Sequence, residues 1–81
     1  MTLLDLPHRI AGTVESVEDQ TPGDTIARRL RELGFVAGEP VEVVAAGPLG
    51  SEPILVQVGF TRFALRRAEA ARVKVRRQVA A

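Results

Sequence analysis

The chain has 81 residues, no cysteine and a formal net charge of +1, with 46% hydrophobic and 26% charged residues. These figures describe one folded domain near the lower size limit for folding without a staple, and the absence of cysteine excludes disulfides, thiolate metal sites and thiol catalysis. No apolar run approaches the roughly 20 residues of a membrane helix, and the start carries Asp5 without a basic cluster, so neither membrane insertion nor a signal peptide is expected. A cytoplasmic protein is the expectation, since a small secreted domain would ordinarily carry bridges. Charge is distributed unevenly: residues 1–60 sum to −5 and residues 61–81 to +6. That asymmetry either steers a partner or averages out where the two segments interleave.

Leu3 to Leu6 reads as a short apolar anchor, and Pro7 prevents a helix from continuing there. Arg9 to Val17 alternates Ile10, Gly12 and Val14 with polar or small residues, a first strand. Thr21, Pro22 and Gly23 supply turn chemistry, after which Asp24 or Thr25 caps a helix. Ile26, Leu30 and Leu33 stand at i, i+4 and i+7 and predict its buried face, with Arg28, Arg29, Arg31 and Glu32 on the others. Gly34 is placed to close the helix in a left-handed conformation, and Phe35 to fold back onto its last turn.

Gly38 and Pro40 restart the chain as a second strand over Val41 to Ala45, followed by a compact loop from Gly47 to Pro53. Ile54, Val56 and Val58 alternate with Leu55 and Gln57 in a third strand. A turn over Gly59 to Arg62 leads to a short fourth strand at Phe63 to Leu65, a helical turn over Arg66 to Ala70, and a closing strand marked by Val73 and Val75. The domain is expected to cover residues 1–76, with 77–81 a flexible tail. Five short strands, one helix after the first of them and a helical turn before the last predict a mainly β fold, a small barrel whose closure hides strand edges.

The loop from Pro48 to Pro53 is preorganised by two prolines and a glycine. Its tip residues Leu49, Gly50 and Glu52, with Arg28 and Arg31 of the helix, are the candidate partner contacts; the plain alternative is a rigid connector beside a solvated helix face. Of Arg66 and Arg67, one at most should turn inward, while the other joins Arg62 and Arg72 in a basic patch or simply faces solvent. His8, three residues after Asp5, supplies two of the roughly four donors a zinc site needs, so the pair is at most an adventitious surface site for a divalent metal. No cofactor is expected. Ser16 and Ser51 have no neighbouring histidine in sequence, and no phosphate-cradling loop or dinucleotide fingerprint occurs, which argues against an enzyme.

Four segments carry a resemblance to a known family. Leu30 to Gly38 (LRELGFVAG), Gly47 to Ile54 (GPLGSEPI), Ala64 to Ala70 (ALRRAEA) and Val73 to Val75 (VKV) resemble, in order and spacing, the signature blocks of FeoA proteins. The resemblance implies an SH3-like β-barrel and a small cytosolic accessory protein of bacterial ferrous iron uptake. Its implied partner is FeoB, a membrane transporter that carries a GTPase domain. Related domains end iron-dependent repressors, whose DNA-binding and metal-binding regions this chain lacks. Ser51-Glu52 stands where the family has a single aspartate, so this loop is one residue longer.

The expected function is a non-enzymatic module that binds the cytosolic part of FeoB, as a monomer or weak homodimer, without nucleic acid. Two alternatives stay open. One is a nucleic-acid-binding barrel, favoured by the basic C-terminal third and opposed by the absence of Trp and Tyr and by three phenylalanines the core needs. The other is a metal-responsive regulatory module acting through His8.

Overall fold

Asp24 starts the main helix as its sequence position predicts. Its Oδ1 accepts from the backbone N–H groups of Ile26 at 3.1 Å and Ala27 at 3.3 Å, satisfying two donors that a helix start leaves open. In the computed structural model, which describes residues 1–48 and 52–78, this helix, α1, spans Thr25–Leu33. It ends on Gly34 at φ 117°. The Gly34 N–H donates to the Arg31 carbonyl and the Phe35 N–H to the Leu30 carbonyl. That pair of bonds is a Schellman closure, and it drops Phe35 into the core with no exposed surface. The buried helix face is Ala27 and Leu30, with Leu33 packed partly against the core. Ile26 is 39% exposed. The expected apolar stripe is therefore rotated: the small Ala27 faces inward and Ile26 lies at the helix margin.

The remaining elements are β1 (Gly12–Val17), β2 (Pro40–Ala46), β3 (Ile54–Val58), β4 (Thr61–Leu65), α2 (Arg67–Ala70) and β5 (Val73–Arg77). All strands pair antiparallel in the order β4-β3-β2-β1-β5. Register shifts between Val14 and Ser16 in β1, and between Val43 and Ala45 in β2, are the bulges that bend the sheet around its core. Val14, Val43, Val56, Val73 and Val75 line that core with Phe35, Leu30 and the N-terminal Leu3 and Leu6. The mainly β architecture with one full helix and one helical turn is the one the sequence predicts.

Three boundaries differ from expectation by two residues or more, each for a local reason. β1 begins at Gly12 rather than Arg9, because Arg9 takes φ 65° in a turn whose amide donates to the Val43 carbonyl. β4 begins at Thr61, because Gly59 at φ 59° permits a two-residue hairpin loop with Phe60 as its second residue. β5 continues through Arg77: Arg76 and Arg77 pair with Thr13 and Gly12, and the Gln78 N–H donates to the Ala11 carbonyl. Residue 77 therefore belongs to the sheet and not to the tail; residues 79–81 lie outside the described residues.

The expected hiding of strand edges by closure does not occur: the two end strands, β4 and β5, are not paired to each other among the described residues, and they are treated differently. Along β5 the N-terminus adds a covering segment, with Leu3 N–H donating to the Val73 carbonyl and Val75 N–H to the Met1 carbonyl. Along β4 no such segment runs among the described residues.

Candidate partner-binding surface

One buried ion pair positions the surface elements. The Arg72 guanidinium donates from Nε to Asp24 Oδ2 at 2.7 Å and from Nη1 to the Ala68 carbonyl at 2.6 Å. The same Asp24 oxygen accepts from the Gln20 N–H at 2.9 Å. Asp24 thus joins the loop before α1, the first turn of α1 and the α2–β5 corner. Its carboxyl is held well below the ordinary range, at about 2, chiefly by the hydrogen bond from Arg72 and then by the one from Gln20, against the cost of burial. Arg72 is therefore not part of a basic patch; it is the structural arginine, the role expected of Arg66 or Arg67. The Asp24 cap was visible in the sequence, but its cation lies 48 residues away.

Arg66 and Arg67 are both exposed. Their backbone N–H groups are taken by carboxylates: Glu69 Oε1 accepts from Arg66 and Glu52 Oε2 accepts from Arg67, each at 2.7 Å. Glu52, a candidate contact, is exposed at the C-terminal end of its loop and ties that end to the start of α2. Leu49 and Gly50, the other loop candidates, lie outside the described residues. Arg28 is exposed and makes no ion pair among the described residues, whereas Arg31 donates to the Val17 carbonyl at 2.7 Å and to Asp19 at 2.8 Å. No hydrogen bond or ion pair among the described residues joins Glu52 to either helix arginine.

Between α1, β4 and α2 lies a cleft of about 260 Å³, lined by Ile26, Leu33 and Phe63 on its apolar side and by Arg29 and Glu69 at its rim. Phe63 is anchored beneath by Phe35, the ring centroids 5.9 Å apart and tilted. Phe60, by contrast, is fully exposed at the β3–β4 turn. The expectation that the core needs all three phenylalanines fails there, because the second position of so tight a hairpin turn projects away from the sheet. Periodicity gave no signal for the cleft, whose walls come from segments more than 25 residues apart.

Asp5, the carboxylate of the candidate Asp5–His8 metal pair, is engaged within the N-terminal turn. The Asp5 carboxylate accepts from the Thr2 N–H at 2.9 Å and closes the N-terminal turn, and no hydrogen bond or ion pair links it to His8 among the described residues. No group of three or more His, Cys, Asp or Glu side chains able to hold a metal ion occurs among the described residues. No helix of the described residues is long and apolar enough to cross a membrane.

The comparisons with known proteins agree with this geometry. The FeoA domain family matches residues 1–77. The chain is similar to the zinc-complexed FeoA of Stenotrophomonas maltophilia, described as a prokaryotic SH3 domain protein, at 64% identity and a TM-score of 0.87 over 94% of this chain and 89% of that one. It is also similar to the FeoA protein of Chlorobium tepidum, at 32% identity and a TM-score of 0.81 over 98% of this chain and 71% of that one. A manganese-dependent transcriptional repressor shares the fold alone, at 19% identity and a TM-score of 0.73 over 90% of this chain and 39% of the repressor. No curated protein matches. With the SH3-like sheet, the capped helix and the family match all covering the same residues, the chain belongs to the FeoA domain family.

Proposed function

We propose that this chain is a non-enzymatic accessory protein of ferrous iron transport that works in the cytoplasm by binding the cytosolic part of an FeoB-type transporter. The observation that carries the reading is the near-full-length similarity, at 64% identity, to a protein put forward as a bacterial ferrous iron transport activating factor. The surface is suited to recognition: exposed arginines, a preformed cleft and a loop whose end is tied down by Glu52. Such a module acts by preferring one conformation of its partner and so shifting that partner's equilibrium.

The contacts proposed are Leu49, Gly50 and Glu52 of the loop with Arg28 and Arg31 of α1. In a pull-down with the transporter's cytosolic domain, Leu49→Asp is expected to weaken capture about tenfold or more, as loss of a central apolar anchor does. Full capture by that variant would move the contact away from the loop, and no capture of the domain by the unsubstituted chain would sink direct binding.

The reading gives metal no part in this contact. His8→Ala is expected to leave capture unchanged within about twofold, with or without added zinc, because the pair it belongs to offers two donors where about four are needed. A zinc-dependent gain that disappears in His8→Ala would instead favour a metal-responsive module.

A further inference from the structure

The free edge of β4 and the cleft beside it form one feature. In a two-residue hairpin the closing pair exchanges both backbone bonds and every second pair does so after it. The closing pair here is Val58 with Thr61, so Phe63 and Leu65 also bond to β3, while the N–H and C=O groups of Arg62 and Ala64 point away from the sheet. Nothing among the described residues pairs with them. The opposite edge, β5, is covered by residues 1–3. An uncovered edge is a template for another strand, and β4 offers about 17 Å of it.

The side chains specify what such a strand must be. Phe63 lies on the inner face of β4, where the cleft floor continues through Ile26 and Leu33. Arg62 and Ala64 are exposed on the outer face. Arg29 stands at the cleft rim, and Arg66 and Arg67 follow the end of β4; none of these, nor Arg62, makes an ion pair among the described residues. Glu52 and Glu69 on this side each accept from a backbone N–H at the start of α2, and Glu32, three residues beyond Arg29, does not pair with it. Arg29, Arg62, Arg66 and Arg67 outnumber Glu32, Glu52 and Glu69, so the net charge beside β4 is positive.

We propose that β4 accepts an extended segment of a partner protein in which apolar residues alternate with acidic ones, added as a further strand with its apolar side chains in the Ile26–Leu33–Phe63 cleft and its carboxylates beside Arg62 and the neighbouring arginines. Main-chain bonds to Arg62 and Ala64 supply the docking, and the alternate pockets and charges supply the choice of segment. The inference rests on the reading of this chain as a binding module and not on the identity of the transporter as partner.

The test is an NMR titration of the full chain with a capped peptide of alternating valine and glutamate, about nine residues long so that it overspans β4. The amides of Arg62, Ala64, Ile26 and Leu33 are expected to shift together. Ala64→Pro removes an outward N–H without touching the ladder to β3, a change edge strands tolerate, and is expected to weaken binding about tenfold. Arg62→Glu is expected to weaken it about threefold and to reduce its salt dependence. Should Ala64→Pro fail to fold, the same peptide with N-methylated amides reads the same bonds on the unsubstituted chain and is expected not to bind. Equal binding of a valine–lysine peptide overturns the acidic preference. Undiminished binding of the N-methylated peptide overturns strand addition. Self-association through the β4 amides without peptide would make a second copy the occupant and overturn the proposal, as would the absence of any shift. None of these outcomes alters the pull-down with the transporter domain, so the two readings fail separately.

Discussion

Phe35→Ala is expected to lower the unfolding free energy by about 3–5 kcal/mol, the range for emptying a fully buried aromatic site. A domain of this size has only about 4–12 kcal/mol in total, so the variant gives up roughly a quarter or more of its stability and melts correspondingly lower. The position explains the size of the effect. Phe35 has no exposed surface and packs on Phe63 beneath the cleft. Phe35→Leu keeps an apolar side chain of similar bulk, and a loss of about 1.5 kcal/mol or less is expected. Urea unfolding followed by circular dichroism measures both. A loss below about 1 kcal/mol for Phe35→Ala would mean that the neighbouring elements collapse into the space, and that the core is less dependent on this ring than its burial indicates.

The second large effect belongs to the Arg72–Asp24 pair. Arg72→Met is expected to lower the melting temperature by on the order of 15 °C, because it leaves a buried carboxylate without its cation and removes the tie between α1 and the α2–β5 corner. Replacing both partners, Asp24→Asn with Arg72→Met, should cost less than the single change, since Asn still caps a helix and no charge is left buried. The pair also sets an acid limit. The folded Asp24 carboxyl titrates near 2, against 3.8 ordinarily. A depressed folded value stabilises the protein above the unfolded value and is lost as pH falls through the folded one. Stability from this group is therefore complete above about pH 4 and drains away toward pH 2, a slope that Asp24→Asn should flatten in melting curves taken across that range. An unchanged acid slope in Asp24→Asn would assign the transition to other carboxylates.

How much was legible depended on the range of the interactions. The end of α1 could be read in full, because Leu30, Gly34 and Phe35 act on one another within a turn. Ile54–Val58 is exact, since a short apolar, β-branched run between two turn signals leaves little freedom. The tilt of α1 was not: Ile26 and Ala27 compete for the inward position, and what α1 packs against decides between them. Arg77 reads as tail because its side chain is polar, but a strand edge beside Gly12 asks only for its backbone. Arg72 resembled its neighbours as one more cation in a basic stretch, and only the fold brings Asp24 to it. Among the candidate contacts, Arg28 stands exposed, Arg31 is committed to Asp19 and Val17, and Glu52 has a structural bond to α2. The β4 cleft escaped notice because it belongs to no single segment.

The function proposed for this FeoA-family chain is binding, with one state of its partner bound better than another. Calorimetric titration of the chain into the transporter's cytosolic domain, in the presence of GDP and separately of a non-hydrolysable GTP analogue, tests it most directly. Saturable binding is expected, with an affinity that differs between the two nucleotide states by about fivefold or more, the low end of typical allosteric coupling. Binding of equal strength in both states would contradict regulation by conformational preference, and no heat of binding in either state would contradict the claim altogether.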